Sequence, residues 1–171
     1  MSVYPREPAV ALLTDRLALP LVTADVVSDV RQGRRRPDWA DDFPTPGDQE
    51  IAALLDRTRV PTGSAAPFGH RLVVERASAL VIGGIGFFAP PDEDGRLEFG
   101  FGIAGSRRER GLATEAARCL VSFGLRQPGV TEVLATVEPD NPASIRVVEK
   151  AGLTLADRTP SLVTYRSRSV S

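Results

Sequence analysis

Residues Arg96 to Ala117 read RLEFGFGIAGSRRERGLATEAA: a strand, an arginine-rich turn and the opening of a helix in one unbroken run. Leu97, Phe99, Phe101 and Ile103 alternate with Glu98, Gly100 and Gly102, the two-residue period of a β-strand. One face is apolar and packed. The other is open, with Glu98 as its only ionisable side chain. Glycine inside a strand weakens it unless something must approach the backbone. In the turn, Gly111 and Ala113 keep the chain narrow, so an anion can reach bare amides at a helix N-terminus. Arg107, Arg108 and Arg110 add charge-assisted contacts. A solvated arginine run is the structural alternative, but cations at a helix N-terminus are unfavourable without an anion to offset them. The imbalance favours a phosphate site.

Outward from this run, helix Gly111 to Arg126 is followed by a strand at Thr131 to Glu138 and a helix at Asn141 to Ala151. Asn141 suits an N-cap, Pro142 the first helical position and Gly152 the residue after the helix. Two short strands close the chain, Leu153 to Asp157 and Leu162 to Arg166. Upstream, Phe68 to Arg76 and Ala79 to Ala89 form an antiparallel meander with Arg96 to Ala104, turning at PPDEDG. Earlier still come a strand within Val10 to Val22, ended near Pro20, and a helix capped by Thr23 and stopped at Gly33. The irregular loop Arg34 to Gly47 carries Trp39 and Phe43, a helix runs from Asp48 to Arg57, and Pro61 to Pro67 is a loop. Antiparallel strands first and a strand–helix–strand crossover later predict an α/β (α+β) domain with a mixed sheet. Such a crossover places Asn141 near the phosphate turn if the two strands are neighbours.

The whole chain, 171 residues, fits one domain with 42% hydrophobic and 25% charged residues. A net charge of -1 gives no global argument for nucleic acid. Cys119 is the sole cysteine, on the apolar face of a helix, which excludes a disulfide framework and a cysteine-rich zinc site. The opening MSVYPREPAV has no charged start followed by a long apolar run, and no window is long enough to span a bilayer. A cytoplasmic protein is expected. Gly84-Ile85-Gly86-Phe87-Phe88-Ala89 matches a dinucleotide fingerprint, but Pro90-Pro91 forbids the helix that motif needs. Small residues where another backbone packs closely account for it better.

With these residues in view, the chain resembles the GNAT superfamily of acyl-CoA-dependent N-acyltransferases. Arg108-Glu109-Arg110-Gly111-Leu112-Ala113 fits that family's [QR]-x-x-G-x-[GA] motif. Thr114-Glu115-Ala116, NPASIRVVEKAGL (Asn141 to Leu153) and LLTDRLAL (Leu12 to Leu19) look like the branch containing ribosomal-protein N-terminal acetyltransferases. The resemblance is strong from Leu97 to Leu153 and weak from Val22 to Pro67. It implies one GNAT-like domain over residues 1–171, with a mixed, mostly antiparallel sheet splayed between the family's strands 4 and 5 and about four flanking helices. Here those strands are Leu97 to Ile103 and Thr131 to Glu138. It further implies that the pantetheine of acetyl-CoA pairs with backbone at Phe101, Gly102 and Ile103. The pyrophosphate would sit on the amides of Arg108, Glu109, Arg110, Gly111, Leu112, Ala113 and Thr114. Asn141 and Ser144 would line the far side of the cleft, with no metal required.

The implied reaction is direct acetyl transfer to a primary amine, of a small molecule or a peptide N-terminus. A base must deprotonate that amine. Glu98 is the first candidate and Glu138 the second. Many family members carry a tyrosine as general acid where this chain has Val148, so Ser144 is the substitute, unless the thiolate leaves unassisted. A non-catalytic acyl-CoA-binding or regulatory module is the alternative reading. A nucleic-acid binder using Arg34–Arg36 and Arg107–Arg110 is disfavoured by the net charge. No nucleic-acid or membrane partner is expected, and a homodimer is compatible with the resemblance. Trp39 and Phe43 are expected to anchor their loop in the core, with a lid or an acceptor-site wall as the alternative; Asp38, Asp41 and Asp42 would suit a cationic acceptor, although acidic loops are commonplace; and His70 is expected to serve structure.

Overall fold

The computed structural model describes residues 11–58 and 63–168. The expected strand start at Val10, the loop start at Pro61 and Thr62, and the N-terminal MSVYPREPAV lie outside them. Among the described residues the strands are β1 (Leu12–Leu13), β2 (Leu17–Leu19), β3 (His70–Glu75), β4 (Leu80–Phe87), β5 (Arg96–Ile103), β6 (Glu132–Val137), β7 (Thr154–Arg158) and β8 (Val163–Arg168). The helices are α1 (Ala24–Arg31), α2 (Pro46–Thr58), α3 (Leu112–Leu125) and α4 (Pro142–Lys150). The strands form one eight-stranded sheet in the order β1-β2-β3-β4-β5-β6-β8-β7.

Most neighbours run antiparallel, while β5 and β6 run parallel across the α3 crossover. The pairing of these two is short: Arg96↔Glu132, Leu97↔Val133 and Glu98↔Leu134. Beyond Glu98 the strands part, so the expected mixed, splayed α/β sheet with four helices is what the chain adopts. The single strand read into Val10 to Val22 is instead a small hairpin, with β1 pairing β2 through Leu12↔Leu19 and Leu13↔Ala18. Thr14 closes its turn, its hydroxyl accepting from the Leu17 amide at 2.9 Å. That hairpin adds one strand, which moves the split to between β5 and β6. Part of the loop read at Pro61 to Pro67 is a 3-10 helix, Gly63–Phe68.

Helix starts follow from their caps. The Thr23 hydroxyl accepts from Val26 N, and Asn141 Oδ1 accepts from Ser144 N at 3.1 Å, ahead of Pro142. Helix α3 lies against the side of the sheet presented by Leu97, Phe99 and Ile103, and it buries Leu112, Ala116, Ala117, Leu120, Val121 and Gly124. A strand with bulky groups at every second position and a helix with a 3.6-residue apolar stripe fit together for this reason. Trp39 and Phe43 are buried in edge-to-face contact, 5.1 Å between centroids, which confirms them as loop anchors. The expected irregular loop is further pinned where Ala40 N donates to Val81 O and Val81 N donates to Asp38 O, at 3.0 and 2.8 Å.

The tightest helix–sheet approach is at Gly124. A Cβ there would stand 2.9 Å from Phe87 Cζ and 3.2 Å from Leu97 Cδ1 and Val133 Cγ2. Gly124→Ala is expected to destabilise the protein by about 1–3 kcal/mol through overpacking, despite alanine's better helix propensity. Urea denaturation of the two proteins measures it, and an unchanged midpoint would refute the close packing.

Candidate active site

Two backbone bonds fix which edge of β5 is free. Phe88 N donates to Glu98 O at 3.0 Å, and Ala104 N donates to Ile82 O at 2.7 Å. An antiparallel ladder alternates, so the even-numbered residues of β5 direct N–H and C=O towards β4. Phe99, Phe101 and Ile103 direct theirs into the split, where β6 has already turned away. Arg108 reaches back to this edge, its Nε donating to Ile103 O at 3.1 Å.

At the end of that edge comes the arginine turn. A short 3-10 turn, Gly105–Arg107, leads to Glu109 at φ +62° and Gly111 at φ +74°. The left-handed region at Gly111 strongly favours glycine, and it brings the chain into α3 with no capping side chain. The first amides of α3 therefore have no intrahelical acceptor. The sequence left the arginines here without an internal counter-charge, but the structure provides one. The Glu75 carboxylate lies 3.4 Å from Arg107 and 4.0 Å from Arg110. The Ser78 hydroxyl, followed by Arg107, draws the Glu75 carboxyl below its usual range against the opposing effect of burial. Arg110 stays exposed. Asp42, read as a candidate for a cationic acceptor, instead accepts from the Ser106 amide and hydroxyl, both at 2.8 Å.

A brace that the linear sequence does not reveal holds the turn from behind. Glu115, one turn into α3, accepts from the Thr14 hydroxyl at 2.6 Å, the Arg16 amide at 2.9 Å and Arg16 Nε at 2.7 Å. Arg16 NH1 donates to Arg110 O at 2.9 Å, so one guanidinium joins the β1–β2 turn, α3 and the backbone of the arginine turn. Thr14-Asp15-Arg16 and Glu115 are about a hundred residues apart, and only the fold brings them together.

Glu98 is exposed on the face it shares with Gly100 and Gly102. The Phe88 ring stands over Gly100, its Cζ 2.6 Å from where a Cβ would be, while Gly102 faces open space. Glu138 is exposed one residue past β6. The register Glu98↔Leu134 puts it four residues, roughly 13 Å, further along the strand. The two candidate bases thus belong to opposite ends of the split. Asn141 spends its side-chain oxygen on the α4 cap, Ser144 is half-buried in the first turn, and Val148 is fully buried. His70 lies over Gly84 and Gly86, and burial pushes its imidazole down to about 4, consistent with a structural role. Burial also pushes the Cys119 thiol up, which disfavours a nucleophile. Among the described residues no three His, Cys, Asp or Glu side chains are grouped to hold a metal ion. No described helix is long and apolar enough to cross a membrane.

The family described as the acetyltransferase (GNAT) domain matches residues 16–154. The uncharacterized N-acetyltransferase YjdG of Bacillus subtilis (strain 168) is 35% identical over 88 residues, 52% of each chain. The chain thus spans about half the length of the curated relatives it matches. A GNAT-family acetyltransferase from Bacillus anthracis superposes with a TM-score of 0.67 over 94% of this chain and 99% of its own, at 17% identity. The ribosomal-protein-S5-alanine acetyltransferase from Vibrio fischeri gives 0.60 over 94% and 97%, at 13% identity. These likenesses to solved structures establish the fold.

The brace has a pH signature. Burial raises the Glu115 carboxyl, but the hydrogen bonds from Thr14 and Arg16 outweigh it and leave the pKa lowered. A lowered folded-state pKa means stability that is present above the unfolded-state value and lost as pH falls through the folded one. Glu115→Gln is expected to lower the thermal midpoint at pH 7, with the gap to the native protein narrowing below about pH 4.5. Melting curves across pH check this, and a gap constant with pH would refute it.

Proposed function

The chain belongs to the acetyltransferase (GNAT) family, and from that premise we propose that it transfers an acetyl group from acetyl-CoA to a primary amine by direct attack. The observation that carries this reading is the free edge of β5 running straight into the arginine turn. An extended amide-containing arm can add to that edge as a further strand, through the N–H and C=O groups of Phe101 and Ile103, running past Gly102, whose own backbone groups face β4. A pyrophosphate at its end meets the amides of Arg108 to Thr114 and the exposed Arg110. Open strand edge, bare amides and cations follow one another in the order in which pantetheine and pyrophosphate are joined. Asn141 and Ser144 face the same ligand from α4.

Glu98, on the open face of the cofactor strand, takes a proton from the ammonium group, directly or through water. The freed lone pair attacks the thioester carbonyl carbon. A β5 amide facing the split stabilises the negative charge that develops on the carbonyl oxygen. The C–S bond then breaks, and the departing thiolate takes its proton from the Ser144 hydroxyl, which regains one from the attacking nitrogen as the amide forms. Glu138 is the alternative base if water carries the proton to the mouth of the split. The acceptor is the primary amine of a small molecule or of a protein N-terminus; the Vibrio fischeri neighbour is named for ribosomal protein S5 alanine. One observation favours a second reading, a non-catalytic acyl-CoA-binding module: the residue at the usual tyrosine position, Val148, is fully buried and offers no hydroxyl.

Thiol release from acetyl-CoA across an amine panel of ribosomal-protein N-terminal peptides, polyamines and aminoglycosides separates the two readings. Release with none of these amines would favour the binding module. For the turn, Gly111→Glu is expected to weaken acetyl-CoA binding at least about tenfold in calorimetry, by charge repulsion. Gly111→Asn, which tolerates the left-handed backbone, controls for strain. Equal affinity of Gly111→Glu and the native protein would overturn the turn assignment. For the base, Glu98→Gln is expected to lower the rate by roughly 10²–10⁴-fold at neutral and lower pH while keeping acetyl-CoA affinity. An unchanged pH–rate profile would transfer the role to Glu138 or to water.

A further inference from the structure

Phe87 and Phe88 are neighbours in the chain and lie on opposite faces of the sheet. Phe87 is buried and packs edge-to-face against Phe68, with 6.2 Å between centroids. Phe88, one residue past β4, is 49% exposed and has no ring partner among the described residues. Ala89 and Pro90 follow it and are exposed as well. The other large apolar side chains exposed among the described residues are Leu13, Leu54, Leu155 and Leu162, and none is on β4 or β5. Exposure of a single apolar side chain means little by itself. Position gives this one its meaning.

Phe88 N donates to Glu98 O at 3.0 Å, which sets these two residues opposite each other and continues the register Phe87↔Phe99. Opposed residues on one face have Cβ atoms about 5 Å apart. The ring leans over the diagonal neighbour Gly100, with Cζ 2.6 Å and both Cε atoms 3.4 Å from the place a Cβ would take. Those equal distances mean that the ring meets β5 tip first, leaving its faces clear of that position. The Glu98 carboxylate beside it is exposed and makes no ion pair among the described residues. Arg96, two residues earlier on the same face, is engaged by Glu132 and Asp94. An apolar ring and an unpaired carboxylate therefore stand side by side. A ligand with its pyrophosphate on the arginine turn and its arm along Ile103 and Phe101 directs its acyl end back towards Phe99, roughly 13 Å from Ile103. Phe99 lies between Glu98 and Gly100, so an amine approaching that end passes the Phe88 ring.

We propose that Phe88 selects the acceptor: its ring takes the apolar carbon skeleton next to the amine, so that primary amines carried on apolar or aromatic skeletons are preferred over those on polar ones, while Glu98 faces the nitrogen. The proposal rests on the acetyl-transfer reading given above and adds the substrate class to it. Moving such a skeleton out of water against the ring is favourable in proportion to the apolar area covered. A polar skeleton gains nothing there and leaves its hydroxyl groups short of partners. Selection of this kind acts on acceptor binding and falls on KM.

Thiol release from acetyl-CoA by the full chain, measured with two matched pairs of amines, tests it. One pair is phenethylamine and ethanolamine. The other is the tripeptides Phe-Gly-Gly and Ser-Gly-Gly, so that small amines and peptide N-termini are judged separately. The native protein is expected to favour the apolar member of at least one pair about tenfold or more in kcat/KM. Phe88→Ala is expected to bring that preference within about twofold, through a higher KM for the apolar amine, with acetyl-CoA affinity in calorimetry unchanged. Phe88→Leu keeps an apolar wall and is expected to keep most of the preference. Gly100→Ala puts a methyl group where the ring tip lies and turns the ring aside, so it is expected to lower the preference too, and it serves if Phe88→Ala does not fold. No preference of the native protein for the apolar member of either pair, or full preference in the variants that remove or turn the ring, overturns the inference and leaves the acetyl-transfer reading standing. No thiol release with any of the four amines overturns both.

Discussion

Glu132 is buried among three arginines at the point where β5 and β6 are about to separate. Arg96 Nε lies 2.8 Å from its carboxylate, with Arg168 Nε at 3.6 Å and Arg166 NH1 at 3.9 Å. A buried carboxylate needs such partners, and here they come from β5 on one side and β8 on the other. Three residues beyond this clamp the backbone pairing of β5 and β6 has ended. The ion cluster sits at the first of the three paired positions, so it holds the closed end of the split. Backbone bonds reinforce it, with Thr131 N donating to Gly95 O at 2.8 Å and the Thr131 hydroxyl donating to Asp94 O at 2.8 Å. The free edge of β5 and the exposed Glu98 begin where the pairing beyond this clamp ends.

The open face of the split is paved by glycines that meet across the strands, Gly84↔Gly102 and Gly86↔Gly100. Two of these, Gly84 and Gly86, form the sequence pattern that resembles a dinucleotide fingerprint. Their physical role is to accept neighbours: the His70 ring occupies the space that side chains at Gly84 and Gly86 would fill, and the Phe88 ring does the same over Gly100. Only Gly102 is left uncovered, next to the mouth of the split. A local pattern of small residues was therefore informative about crowding but not about the ligand.

The parts legible in the sequence were those whose causes are local. Alternation from Leu97 to Ile103, the cap at Asn141 and the narrow turn at Gly111 each follow from neighbours in the chain. The resemblance supplied the split itself, which no periodicity shows. The hairpin at Leu12 to Leu19 was hidden because a turn closed by the Thr14 hydroxyl carries neither glycine nor proline. Arg16 and Glu115 were invisible as a pair, since their contact spans 99 residues. Glu75, which shares the charge of Arg107 and Arg110, was likewise unreadable before the sheet was assembled. Asp42 reads as suited to a cationic acceptor and is instead a tie between two loops.

The edges of the sheet differ in a way that bears on aggregation. An unpaired strand edge is a template on which another chain can grow, and proteins usually blunt it. At one border β1 is two residues long, and at the other β7 is interrupted by an irregularity between Leu155 and Asp157 and carries charge at Asp157 and Arg158. Neither offers a long, regular row of amides. The regular one is the inner edge of β5, recessed between two diverging strands. Because that edge lies within the sheet instead of at its border, a second chain meets it only by entering the split.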